Sequence, residues 1–108
     1  MKDLEHKEQV ALVQWLRIKK IPHNATPNGG YRNISTAVKL KAEGVVAGFP
    51  DITIFLPNFV LYIEMKRKGG TIQANQKEWI SYLNSLSYAH AIVCYGAKEA
   101  IEKIEELL

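Results

Sequence analysis

The stretch "GFPDITIFLPNFVLYIEMK", residues 48–66, constrains the fold more than any other part of the chain. Two β-favouring runs, "DITIFL" and "VLYIEMK", flank Pro57-Asn58, a natural turn. Together they read as a buried hairpin. Within it stand two acids, Asp51 where the first strand begins and Glu64 near the end of the second, with Lys66 beside them. A turn at Pro57-Asn58 brings Asp51 opposite Glu64, and cross-strand neighbours lie roughly 4.5–5.5 Å apart at Cβ. Carboxylates that close repel each other unless something compensates, and a divalent cation with oxygen ligands does so. Strand side chains alternate, so Glu64 and Lys66 share a face while Met65 faces the other way with its carbonyl able to turn to the same ion. Such a set suits phosphodiester hydrolysis. The bland alternative is a turn-capping Asp51 and a solvated Glu64–Lys66 pair.

Around the hairpin, the pattern predicts one α/β domain over residues 1–108: a mixed central sheet flanked by helices. Leu4, Ala11, Leu12, Trp15, Leu16 and Ile18 recur at helical spacing, predicting a helix over 4–20 with Asp3 as its cap. Residues 23–26 are either a short strand or an irregular loop, and Asn28-Gly29-Gly30 is a strong break. A helix is expected over 35–43 with Ser35 and Gly44 at its ends, and another over 72–86 capped by Thr71. That third helix places Trp79, Ile80 and Leu83 inward. "HAIVCYG" reads as a buried strand and "AKEAIEKIEELL" as an amphipathic closing helix.

Composition excludes some classes. The chain has 108 residues, enough for one core, and a single cysteine, Cys94, which rules out an internal disulfide. The N-terminus "MKDLEHKEQ" is too polar for a signal peptide, and no apolar run reaches the ~18 residues of a membrane span. A cytoplasmic protein is expected. The net charge of +3 barely favours nucleic acid, but its distribution is uneven. Arg32, Lys39 and Lys41 fall in a stretch without acids, and Arg67 and Lys68 follow Lys66 directly. As a group near the acids they are candidate phosphate contacts, as are Asn28, Gly29 and Gly30 through a close backbone approach. His6, His23, His90 and Cys94 match no common zinc spacing. Trp15 and Trp79 read as core rather than as base-stacking platforms.

Pro50-Asp51 followed by Glu64-Met65-Lys66 resembles the PD-(D/E)XK nuclease signature. Together with "EHKEQVALVQWL", "PNGG", "LKAEGVVAGFPD" and "QKEWI", in that order, the chain resembles the VRR-NUC (virus-type replication-repair nuclease) family, especially its stand-alone phage and bacterial members. The resemblance implies a restriction-endonuclease-like core and Mg²⁺- or Mn²⁺-dependent cleavage of DNA in a bacterial or phage-infected cell. It makes Asp51 and Glu64 metal ligands, with the Met65 carbonyl, and Lys66 the catalytic lysine. Gln76 matches the family's glutamine near the site. The first-helix acid, a further metal ligand, is best matched by Glu5, with Glu8 a competitor at i+3. Stand-alone relatives are often dimeric and resemble Holliday-junction resolvases, which implies branched DNA as substrate and a homodimer. The rival readings are a DNA-binding module that does not cut and a nuclease subunit that needs a partner.

Overall fold

A computed structural model describes residues 2–27 and 33–108, with side chains from Leu4 onward. The elements run α1 (Lys2–Ile18), β1 (His23–Ala25), α2 (Ile34–Ala42), β2 (Ile52–Phe55), β3 (Val60–Lys66), α3 (Ala74–Asn84), β4 (Ala89–Tyr95) and α4 (Ala97–Leu107). The strands form one sheet in the order β1-β2-β3-β4. β1 and β3 both run antiparallel to β2, whereas β4 runs parallel to β3. The parallel pair needs a crossover, and α3 supplies it. The expected mixed sheet with flanking helices is the fold observed, and residues 23–26 resolve in favour of a strand.

Alternation along β3 sorts the two layers. Leu61, Ile63 and Met65 point to one side and join Ile52, Ile54 and Cys94 from the neighbouring strands. Leu12 and Leu16 of α1 and Ala97, Ala100 and Ile104 of α4 cover that side and complete the main core. The alternate residues Tyr62, Glu64 and Lys66 face α3. On α1 only part of the expected apolar set is inside: Leu12 and Leu16 are buried and Trp15 is half-buried, but Leu4, Ala11 and Ile18 are exposed. The buried stripe is narrow because α1 shares its cover of the sheet with α4.

Helix ends differ from expectation in instructive ways. α1 already includes Asp3, so that residue is not its cap. α2 is capped by Asn33, not Ser35: the Asn33 Oδ1 accepts the Thr36 N–H at 2.7 Å and the Ser35 hydroxyl at 2.9 Å. Asn commonly serves as an N-cap because its short side chain satisfies an orphan donor of the first turn. α2 ends at Ala42 and its C-cap is Glu43, not Gly44, which follows at φ +104°. α3 starts at Gln73 rather than Thr71, because the Gln76 Oε1 reaches back to accept the Gln73 N–H at 2.8 Å. At the sheet's β4 edge the Asn84 side chain acts as a substitute strand. It accepts the Ala91 N–H at 2.8 Å and donates to the Ala91 carbonyl at 2.9 Å.

Candidate active site

The site forms where β3 and β4 end. Parallel strands commonly place ligands beyond their carboxyl ends, where the connecting loops diverge. Extending the register Ile52↔Ile63 by one residue sets Asp51 opposite Glu64. Asp51 precedes β2 and is held in place by its own backbone. Its carbonyl accepts the Thr26 N–H at 2.8 Å, and the Thr26 hydroxyl donates to the Pro50 carbonyl at 2.8 Å. Upstream, Gly48 has φ +86° and lies so close to α3 that a Cβ would meet Asn75 Cγ at 2.7 Å. Only glycine fits that approach.

The Asp51 side chain turns across to β3, where its Oδ2 accepts the Met65 N–H at 2.7 Å. In a strand the N–H and C=O of one residue point the same way, so the Met65 carbonyl also lies on the Asp51 side. Glu64 is 3% exposed and Lys66 8% exposed. Lys66 Nζ stands 3.9 Å from Glu64 Oε2. Gln76 Nε2 donates to the same oxygen at 3.1 Å. The Gln76 amide is thereby oriented at both ends, since its oxygen is committed to the Gln73 N–H.

Burial is the main force on both acids. It raises the Asp51 pKa, opposed by the Met65 N–H, a hydrogen bond with Glu64 and the charge of Lys66, and reinforced by the charge of Glu5. Glu64 is pushed up to about 8, first by burial, then by the charge of Asp51 and by their shared hydrogen bond, with Lys66 opposing and Glu5 adding. Both acids therefore hold a proton more tightly than an ordinary carboxylate does.

The two candidate acids of α1 part company here. Glu5 is half-buried, and its charge acts on both Asp51 and Glu64. Glu8 turns instead to the start of α4, where its Oε1 accepts the Ala97 N–H at 2.7 Å. A Cβ on Gly96 would lie 2.9 Å from that oxygen. Glu8 thus serves as a cap supplied from another helix.

Of the candidate phosphate contacts, Lys39, Lys41 and Lys68 are exposed and Arg67 is half-buried. Lys39 and Lys41 occupy the last turn of α2, a helix with no buried residue. Arg67 donates to the Lys68 carbonyl at 3.4 Å. Asn28, Gly29, Gly30 and Arg32 lie outside the described residues. His90 is exposed rather than buried, whereas Cys94 is buried and its thiol is pushed up to about 12, chiefly by desolvation.

Among the described residues, no group of three or more His, Cys, Asp and Glu side chains forms a ready-made metal cluster. The donor chemistry nevertheless fits a hard divalent cation. Asp51 and Glu64 are a close pair of carboxylates that repel each other when both are ionised. Mg²⁺ is commonly bound through one or two carboxylates, with waters and substrate oxygens filling its other positions.

Sequence reasoning missed the residues beside this pocket. Phe49 packs edge-on against Tyr62 (5.6 Å between ring centroids) and Trp79 (5.0 Å). Trp79 is only half-buried and lines an open groove with Asn75, Glu78, Tyr82 and Ala47. The signal was present as spacing: positions 75, 78, 79 and 82 form a single helical stripe.

Residues 3–98 match the sequence profile of the VRR-NUC domain. A solved structure described as a VRR_NUC domain protein superposes with a TM-score of 0.70 at 23% identity, covering 95% of this chain and 86% of that one. No curated protein shows significant sequence similarity to the chain. The chain belongs to the VRR-NUC domain family, a family of nucleases.

Proposed function

We propose that this VRR-NUC domain, spanning residues 1–108, is a metal-dependent DNA endonuclease acting on branched substrates. The observation that carries the reading is the convergence of Asp51, Glu64 and Lys66. Asp51 bonds to the β3 backbone beside Glu64, and the Lys66 ammonium lies 3.9 Å from the Glu64 carboxylate.

Asp51, Glu64 and the Met65 carbonyl would hold the divalent cation, with Glu5 adding negative potential from α1. When bound, Mg²⁺ or Mn²⁺ lowers the pKa of a coordinated water and polarises a phosphate oxygen. The chain's own residues do the rest. Lys66, almost fully desolvated, supplies positive charge where the attacked phosphate gains negative charge. Gln76 fixes the Glu64 carboxylate through its amide, so the acid keeps one orientation. The Met65 N–H does the same for Asp51. Lys39, Lys41, Arg67 and Lys68 would hold the DNA backbone without reading sequence. A homodimer would set two such sites against two strands.

The test is cleavage of labelled four-way junction, flap, single-stranded and duplex DNA in Mg²⁺, Mn²⁺ or EDTA, with Asp51→Asn and Lys66→Ala alongside. Cutting that needs metal and is lost in both variants supports the reading. Binding without cutting under every condition would replace it with a non-cleaving module, and cutting only after addition of a partner protein with a partner-dependent subunit. No helix among the described residues is long and apolar enough to cross a membrane.

A further inference from the structure

The face of α3 next to Gln76 carries an open groove of about 520 Å³ that the chemistry above does not use. Asn75, Glu78, Trp79 and Tyr82 line it from the helix, and Ala47 lines it from the loop that leads into β2. Its size falls within the roughly 300–1,000 Å³ of small-ligand sites.

The groove and the candidate active site share α3. Phe49, two residues before Asp51, packs against Trp79 with ring centroids 5.0 Å apart. Gly48, three residues before Asp51, presses on Asn75 of the groove. Gln76, which donates to Glu64, follows Asn75 in the chain. One short stretch of α3 therefore touches the catalytic carboxylate on one side and lines the groove on the other.

Its chemistry selects a flat, uncharged ring. Tyr82 is 58% exposed and stands at 87° to Trp79, with ring centroids 6.2 Å apart. Two rings at a right angle make a corner in which a third ring stacks on one and turns its edge to the other. Glu78 repels a phosphate at this spot but accepts hydrogen bonds from the amino groups of a base. The Asn75 amide offers both a donor and an acceptor.

We propose that this groove is a subsite for an unpaired nucleobase of the DNA strand beside the cleaved phosphate, stacked on Tyr82 within the Trp79 corner. The proposal rests on the nuclease reading and deepens it. A base inside a duplex has both faces covered by its neighbours, so only an unpaired or extruded base enters such a corner. The site would therefore favour DNA with unpaired nucleotides near the cut, largely without regard to sequence, because every base has a stacking face.

The test compares binding of a duplex that carries a short single-stranded arm with binding of a blunt duplex of equal length. A 2-aminopurine in the arm reports stacking by loss of its fluorescence. For Tyr82→Ala, the preference for the armed over the blunt duplex should fall about tenfold and the quenching should vanish. Tyr82→Phe should restore both, since stacking needs the ring and not the hydroxyl. Asp51→Asn should abolish cleavage while keeping preference and quenching, which separates the groove from the catalytic reading. If Asp51→Asn cuts like the parent, the nuclease site is wrong, and the quenching still decides the groove. Unchanged preference and quenching in folded Tyr82→Ala overturns the proposal. So does a Tyr82→Ala protein that changes from dimer to monomer in sedimentation with its DNA preference intact, because the face then belongs to a second copy.

Discussion

At its carboxyl end β3 is closed to solvent on two chemically opposite faces. On one, Leu61 and Ile63 are 0% exposed and Met65 2%. On the other, Glu64 is 3% exposed and Lys66 8%. The apolar face releases free energy by leaving water. The charged face loses hydration, and one cation, one amide donor and one backbone N–H only partly compensate two acids. A single strand thus holds the fold together with its odd positions and carries a buried charged pair, Glu64 and Lys66, on its even ones. Burial on the first face is a source of stability. Burial on the second raises the affinity of the acids for a proton.

The largest expected effect tests the charged face. Asp51→Asn or Lys66→Ala should lower DNA cleavage by about 100- to 10,000-fold. Thermal unfolding of the metal-free Asp51→Asn protein should not fall below that of the parent, because a carboxylate that carries a desolvation cost has gone. A loss of both activity and stability would show that the two faces are not separable.

The mirror experiment is Ile63→Ala, next to Glu64 but on the apolar face. It should cost about 2–5 kcal/mol in urea unfolding, because it leaves a cavity in the main core. The protein that remains folded should still cut. A cost under ~1 kcal/mol would mean that the core collapses around the change.

A smaller contrast separates the acids of α1. Glu8→Ala should destabilise by about 1 kcal/mol through loss of the bond to the Ala97 N–H. Glu5→Ala should leave urea unfolding near the parent value and weaken Mn²⁺ binding measured by calorimetry. The reverse pattern would exchange the roles assigned to the two residues.

The mildest probe is pH. The folded pKa of Glu64 lies at about 8, above its ordinary value of 4.5, so the native state holds the proton more tightly than the unfolded chain. Its contribution to stability is fully present below 4.5 and is lost as pH rises toward about 8. Metal-free protein should therefore lose stability across that window, and Glu64→Gln should flatten the loss. A parent curve no steeper than that of the variant would show that Glu64 ionises freely in the native protein.

Much of this was legible in the chain. The two-residue turn at Pro57-Asn58 sets the hairpin register, and the register places Asp51 opposite Glu64. The alternation of β3 separates Met65 from Glu64 and Lys66 without reference to any other element. The cap positions were less legible. Ser35, Thr71 and Asp3 are all good capping types, but Asn33 caps α2 because its own side chain accepts the Thr36 N–H, and Gln73 begins α3 because the Gln76 side chain reaches back to accept its N–H.

What the sequence by itself determined is the periodic part: which stretches become strands and helices, and which side chains share a face. Those follow from the fixed geometry of the backbone within a few residues. Only the tertiary structure decided the partners across distance. Glu8 and Ala97 lie 89 positions apart, and nothing local tells Glu8 from Glu5 until α4 docks beside α1. Trp79 has helical spacing typical of a core residue, yet it lines an open groove because the loop carrying Ala47 and Phe49 leaves one side of α3 uncovered. Periodicity names the face a residue occupies, and packing alone decides what lies against it.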